Sequence, residues 1–439
     1  MNNSAIPMKP QKALIATYYW PPAGGPGVQR WLKFVKYLPE FGIEPVVYVP
    51  ENPSYPIRDE SLKNQVSKDV KIIQSKIWEP YQIAEMLNPK AKDYKAGHFE
   101  KSSQQSFLTK LLVFIRGNFF IPDSRKFWVK PSVKFLNEYL KTHEINTIIT
   151  TGPPHSLHLI GLKLKQQNPN LKWLADFRDP WTQISYHSAL KLGNYAQKKH
   201  RQLEKEVLQS ADTVIATSFT DGENYIKSGA KNVEVITNGY ETSDFQNPTK
   251  EADKTFKIVY SGGLEIARNP IPVWQALKEL IAENENFRND LQLIFYGNLS
   301  EEVEKSIKEY DLTFYLIKKG YVTHSESING ILNADLLLLT NFPDEKSKGI
   351  IPGKLFEYMA TENPVLAIGP ENADVDKILW ETAYGKHFSY NEKEKIKSYI
   401  AAIYQNKNLP PVDFKPTYEK YSRRKLTEKL AALISTLNA

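Results

Sequence analysis

The sequence predicts an α/β protein made of two doubly wound, parallel-sheet domains. Its 439 residues are too many for one ordinary core and suit two domains of roughly 200 residues each. Short apolar runs alternate with segments of helical length and period along almost the whole chain, which implies parallel strands with helices on both faces. The alternation then restarts after residues 247–254, a polar stretch with one proline and no apolar period, which reads as a linker.

The strand-like runs before that linker are 13–17, 45–49, 147–151, 173–176, 213–217 and 233–236; after it come 258–260, 291–296, 334–340 and 365–368. Segments of helical pattern, among them 31–41, 195–210, 271–282 and 355–361, fall between them. The expected division is a first domain over 1–245, a second over 246–415 and a closing helical segment over 416–439.

Composition narrows the class. With 41% hydrophobic and 12% aromatic residues the chain can bury two cores, and 24% charged residues rule out a globally disordered polymer. The absence of cysteine excludes disulfides and cysteine-ligated zinc or iron–sulfur centres. The opening MNNSAIPMKPQ has no signal-peptide core, and no apolar run reaches the roughly 18 residues of a membrane span, so a cytoplasmic location is expected.

The net charge of +7 is concentrated between Lys101 and Lys134, where seven basic residues face one acid, Asp123. Phe107, Phe114, Phe119, Phe120, Phe127 and Trp128 are interleaved with them. Such a segment can lie on an anionic membrane, placing the protein at the membrane's inner face, and phosphate of nucleic acid would attract it too. A helix turning Leu108, Leu111, Leu112 and Ile115 toward the core explains the same pattern. Membrane, rather than nucleic acid, is the expected partner.

In doubly wound sheets ligands sit beyond the carboxyl ends of the strands, so loops after strands carry most weight. Gly24, Gly25 and Gly27 follow the first strand and lead into a helix bearing Arg30 and Lys33. Bare backbone there admits a phosphate beside a helix N-terminus, or simply a tight turn. His155 and His158 follow the run at 147–151 and share a helix face, with no further metal ligands at suitable spacing; His155 is an expected polar contact. DFRDPW places Asp176, Arg178 and Asp179 at the end of another strand, either as an internally paired triplet or as a holder of hydroxyl groups.

In the second half, SGGLEIARNP offers Gly262, Gly263 and Arg268, and GKLFEYMATENPVL offers Gly353, Lys354, Leu355 and Glu357. A lysine and an arginine converging from two strand ends would neutralise a diphosphate, and a carboxylate in the following helix would accept ribose hydroxyls. Solvation of a helix face by Glu357, paired with Lys354, is the plainer account of the latter two.

Several stretches together resemble glycosyltransferase family 4, retaining nucleotide-sugar transferases of the GT-B fold: PPAGGPGVQR, EVLQSADTVIATS, VITNGYETSDF, GYVTHSESINGILNADLLLLT and KLFEYMATENPVLAIG, in the family's order from about residue 13 to 370. The resemblance implies two Rossmann-like domains facing across a cleft, a C-terminal helix crossing back to the first domain, and a glycine loop facing the donor. It implies donor contacts at Gly24, Gly25, Gly27, Gly262, Gly263, Arg268, Gly353, Lys354, Leu355 and Glu357. Acceptor contacts fall on His155 and Arg30, and catalytic roles on Asp176, Arg178, Asp179, Arg268 and Lys354. No metal and no cofactor are implied; the donor is a nucleotide-diphosphate sugar, and the acceptor a glycan or lipid-linked hydroxyl, as in envelope polysaccharide assembly.

Two departures stand out. Gly349 occupies the place of the family's first glutamate, eight residues before Glu357, and Gly263 occupies that of its usual arginine. The rival expectations are an epimerase of the same fold and a non-catalytic nucleotide-sugar or membrane-binding protein.

Overall fold

The computed structural model of the chain describes residues 11–79, 107–183, 190–245, 254–407 and 418–438. The expected linker, 247–254, lies outside them but for Lys254. The chain divides into two compact units, Met1–Thr237 with Leu426–Ala439, and Asn238–Lys425.

The first unit carries a seven-stranded sheet in the order β3-β2-β1-β4-β5-β6-β7, every neighbouring pair parallel. Its strands are β1 (Gln11–Ala16), β2 (Ile43–Glu51), β3 (Lys71–Lys76), β4 (Thr147–Gly152), β5 (Lys172–Phe177), β6 (Thr213–Ala216) and β7 (Val233–Val235). All six residues of β4 are buried, as a strand covered on both faces requires. Cores lie on both sides of this sheet: Leu14, Ile148, Trp173 and Val214 on one, Ile15, Val47, Ile149 and Ile215 on the other.

The second unit repeats the plan with six strands, β10-β9-β8-β11-β12-β13. These are β8 (Phe256–Ser261), β9 (Leu291–Tyr296), β10 (Leu316–Gly320), β11 (Leu336–Thr340), β12 (Val365–Gly369) and β13 (Gly385–Ser389), again all parallel. In both sheets the strand order reverses direction once, between β1 and β4 and between β8 and β11. Right-handed crossovers leave a crevice at that reversal, beyond the carboxyl ends of the two strands.

The closing helix, Arg423–Asn438, supplies the last apolar face of the first unit's core. Leu426, Leu430, Ala431 and Ile434 pack with Val28, Trp31, Val35 and Ile236. Leu430 and Ile434 are fully buried, worth about 1.5–3 kcal/mol apiece. Lys429 pairs with Glu234 and donates to the Val235 carbonyl at 2.9 Å, and Asn438 Nδ2 donates to Thr147 Oγ1 at 2.9 Å. The expected return of the C-terminal helix to the first domain is thus present.

The basic aromatic segment divides in two. Its residues 101–106 lie outside the described ones, as do the side chains of Phe107, Leu108, Leu111 and Leu112. Trp128 belongs to the core, stacked on Tyr48 at 4.8 Å with its indole donating to Ser75 Oγ at 2.9 Å. Phe114, Phe119 and Phe127 are exposed, and Phe127 meets an exposed Trp78 edge-on at 4.7 Å. No described helix is long and apolar enough to cross a membrane.

Candidate functional site

At the first unit's reversal point the side chains expected to meet ligand are tied to one another. Asp176, the penultimate residue of β5, has no exposed surface, and Arg30 is 2% exposed. Arg30 Nη2 donates to Asp176 Oδ1 at 2.9 Å; Trp31 Nε1 and Thr151 Oγ1 donate to Oδ2 at 2.7 and 2.8 Å. Arg30 Nη1 donates to the Thr237 carbonyl at 2.8 Å. Burial opposes the charge of Asp176, but Arg30 and the indole of Trp31 outweigh it and hold the carboxyl below the usual range.

The expectations for Asp176 as a catalytic group and Arg30 as an acceptor contact are therefore corrected. Both are interior: the Asp176 oxygens accept from Arg30, Trp31 and Thr151, and the Arg30 guanidinium is bonded to Asp176 and the Thr237 carbonyl.

Arg178 fills the same region. Its guanidinium donates to the carbonyls of Gly27 at 2.7 Å and Gly152 at 3.3 Å, and also to that of Pro153. One side chain from the loop after β5 thus ties the loops after β1 and β4 across the reversal. A Cβ at Gly27 would strike it, which is the packing reason for that glycine. Asp179 beside it stays exposed.

Gly25, with φ of 96°, caps the helix Pro26–Tyr37 without a side chain. Gly24's amide is already bonded to the Ile57 carbonyl at 3.0 Å, so it is not the free phosphate donor expected.

His155 is buried against Trp181, the rings parallel within 4° at 5.0 Å, so the expected acceptor contact becomes an internal stack. His158 lies flat on Phe177 at 4.3 Å, with Nδ1 2.9 Å from Thr150 Oγ1. Burial pushes its imidazole down to about 3, which keeps it neutral.

The second unit's reversal point is different in kind. Lys354 opens the helix Lys354–Ala360, and its Nζ lies 3.9 Å from the centre of the Tyr260 ring near the end of β8. Arg268 reaches in from the loop after β8, donating to the Gly263 carbonyl at 2.9 Å and lying 5.5 Å from the Phe342 ring. Neither cation has a carboxylate partner among the described residues, and Arg268 Nε is buried without a hydrogen bond.

Burial lowers the Lys354 ammonium below its ordinary range, Tyr260 opposes this and Arg268 adds to it. Burial would raise the Tyr260 phenol, yet Lys354 and Arg268 hold it below its usual value. The two cations thus bear on one small volume, with no carboxylate within ion-pair distance of either among the described residues.

Backbone geometry keeps that volume open. Gly262 has φ of 105°, and a Cβ on it would stand 3.0 Å from Lys354 Nζ. Gly297, φ 117°, packs so closely on Gly262 that its own Cβ would meet the Gly262 carbonyl oxygen at 2.6 Å. The Gly262 amide is used on the Tyr296 carbonyl, at 2.6 Å. The exposed Gly263 and Gly353 border the space, with nothing within 4 Å of a Cβ built on Gly353.

Asn341, just past β11, donates Nδ2 to the Ile350 carbonyl at 2.9 Å and accepts from the Phe342 amide at 2.9 Å, pinning the loop in which Gly349 is buried.

Glu357 is half-buried one turn along from Lys354. Burial lifts its carboxyl above the usual range, against the pull of His324 and Arg423. Leu355 is corrected: its side chain is fully buried and its amide bonds the Pro352 carbonyl at 3.0 Å, so it offers nothing to a donor.

Tyr260 and Asn341 escaped the sequence reading. Both lie at strand ends, the signal that flagged their neighbours, but an apolar run hides a terminal tyrosine and an isolated asparagine forms no motif. Among the described residues no three His, Cys, Asp or Glu side chains converge as a metal would need.

Solved structures share this architecture over their full length. A glycosyltransferase from Rickettsia africae superposes with a TM-score of 0.60 at 14% identity, covering 97% of this chain and 98% of its own. The chain has the GT-B fold. A sucrose-phosphate synthase from Thermosynechococcus elongatus gives 0.58 at 15% identity with 98% of each chain covered, and a putative UDP-N-acetylglucosamine 2-epimerase from Listeria monocytogenes 0.52 at 12%, covering 97% and 96%. No protein-family model and no curated protein sequence matches the chain.

Proposed function

We propose that this GT-B protein is a retaining, metal-independent glycosyltransferase of the family 4 kind, moving a sugar from a nucleotide-diphosphate donor to a hydroxyl of a glycan or lipid-linked acceptor. The observation that carries the reading is the pair Lys354 and Arg268, converging without a carboxylate partner at the second sheet's reversal point. Two uncompensated cations in a partly desolvated recess suit a diphosphate. The first sheet's reversal point, by contrast, is occupied by Arg178. The glycosyltransferase and the sucrose-phosphate synthase of like fold support the reading, and the epimerase makes product analysis part of its test.

Chemistry follows from where charge develops. As the bond from the anomeric carbon to the diphosphate oxygen breaks, its electron pair goes to that oxygen, and Lys354 and Arg268 stabilise the growing negative charge. The acceptor oxygen bonds to the anomeric carbon on the same face, and its proton passes to the departing phosphate oxygen. Glu357 accepts hydrogen bonds from the ribose hydroxyls.

A thermal-shift screen with UDP, GDP, ADP, dTDP and their sugar conjugates tests the donor half. A ligand at a hundred times its dissociation constant adds about 2.7 kcal/mol. A response confined to one base supports the reading, and no response in folded protein refutes it. Product analysis then separates glycoside formation from an epimerised sugar.

A peripheral membrane contact at the inner face is proposed for the exposed Trp78, Phe114, Phe119 and Phe127. Lys126 sits 5.3 Å from the Phe127 ring centre, giving the amphipathic, cationic pattern that anionic lipid favours. Trp78→Ser with Phe127→Ser should abolish flotation with anionic vesicles at low salt; unchanged flotation refutes this contact.

A further inference from the structure

A cavity of about 540 Å³ lies wholly within the first unit, beyond the carboxyl ends of β1 and β2 and against the edge strand β3. None of the residues discussed so far as donor or acceptor contacts lines it. We propose that it is a saccharide site selective for glycans bearing carboxylate or phosphate groups, an inference that rests on reading the chain as a sugar-handling protein.

Volume comes first: small-ligand sites occupy roughly 300–1,000 Å³. The walls are stiff and apolar, built from Pro21, Pro22, Pro50 and Pro53 with the edges of Trp20 and Tyr55. Such surfaces suit the carbon–hydrogen faces of a sugar ring. Trp20 is only 3% exposed, so no ring face is free for a nucleobase to stack on. Asn52 and Gln74 add amides that can bond hydroxyls.

Charge decides the class of sugar. Arg58, Lys63 and Lys68 line the cavity, and no acidic side chain does. Arg58 and Lys63 share a single carboxylate, Glu60, at 3.0 and 2.8 Å, both contacts solvent-exposed. Exposed pairs of this sort are worth little and exchange readily for another anion. Lys68 has no ion pair among the described residues. The cavity therefore offers a surplus of positive charge on an otherwise uncharged lining of prolines, aromatic edges and amides.

Its position gives an occupant a consequence. The wall loop bridges to the glycine loop at Ala23 and Arg58, the Gly24 amide donates to the Ile57 carbonyl at 3.0 Å, and the Asp59 amide to that of Pro22 at 2.8 Å. A bound acidic glycan would thereby hold the segment from Trp20 to Gly24 in register.

The test is titration calorimetry on the full chain at low salt with three probes: a hyaluronan tetrasaccharide, maltotetraose phosphate and neutral maltotetraose. One or both acidic probes should bind and the neutral one should not, the responding probe telling carboxylate from phosphate. Lys63→Glu with Lys68→Glu should weaken that binding at least tenfold, and Ser67→Trp, which fills the cavity from an exposed lining position, should abolish it, with circular dichroism unchanged.

Equal binding of the neutral probe, indifference to charge reversal, or no binding of any probe overturns the proposal. Nucleotide binding measured on the same protein keeps the two readings apart: acidic glycan bound without any nucleotide response leaves this site standing and removes the transferase, and the reverse removes only this site.

Discussion

Replacing Asp176 by asparagine should destabilise the first unit far more than loss of a surface acid would. The substitution keeps the shape but leaves the Arg30 guanidinium inside the fold without a counter-charge, and turns an amide N–H₂ toward groups that are all donors. Breaking one side of a buried ion pair costs about 3–5 kcal/mol. For a unit of this size each kcal/mol moves the melting midpoint by about 2–4 °C, so the expected fall is about 6–20 °C.

Differential scanning calorimetry resolves the effect, because the second unit has its own core and its transition should stay in place. A fall of less than 2 °C would show that Asp176 does not anchor this network. The pair also fixes a pH dependence. The folded-state carboxyl of Asp176 is held below its unfolded value, so its stabilisation is complete above about pH 4 and disappears as pH falls through the folded value. Adding Arg30→Met to Asp176→Asn should recover part of the loss; simple additivity would refute the charge argument.

Three further outcomes are expected. Glu357→Gln should weaken nucleotide binding about tenfold or more in calorimetry, the scale of a hydrogen bond to a charged group; because its carboxyl is raised in the fold, ionisation opposes folding, so the same variant should melt higher than wild type at pH 7 and lose that advantage near pH 4. Gly262→Ala forces a Cβ into a positive-φ position beside Lys354 and should cost about 1–3 kcal/mol in denaturant titration, together with nucleotide affinity. His158, held neutral, favours folding fully above pH 6.5 and less as pH drops, so the first unit should lose about 2 kcal/mol between pH 6.5 and 5, a loss that His158→Gln should flatten in pH-resolved melting curves.

How much of this could be read from the chain alone follows from burial. Each of the ten strands inferred from apolar runs is present, and Leu291–Tyr296 matches residue for residue. The three that were missed, β3, β10 and β13, are all edge strands. KIIQSK and LIKKG are largely exposed, and lysines blunt an edge that an apolar run would leave sticky. They look like loops because the physics of an edge asks them to.

The site was half legible for a related reason. Loop position picked out Gly262, Arg268 and Lys354, which meet around Tyr260 at the second reversal point, with Glu357 one turn further along the helix. Position could not distinguish a charge left without a carboxylate partner, as on Lys354 and Arg268, from one already bonded inside the fold, as on Arg30, Asp176 and Arg178. That distinction depends on which donors from distant segments, Trp31 and Thr151 above all, arrive at the same carboxylate.

The place of the closing helix has a consequence for biosynthesis. The segments that end at Thr237 and begin at Leu426 belong to one folded unit, yet the ribosome makes about 190 residues between them. At 5–20 residues per second the first sheet would wait about 10–40 s for Leu430 and Ile434, with the greasy strip beside Trp31 and Val35 open to solvent and to chaperones. The second unit, continuous in sequence, can mature during that interval. A nascent chain stalled before residue 426 is thus the vulnerable species, and a circular permutant beginning at the closing helix would remove the wait.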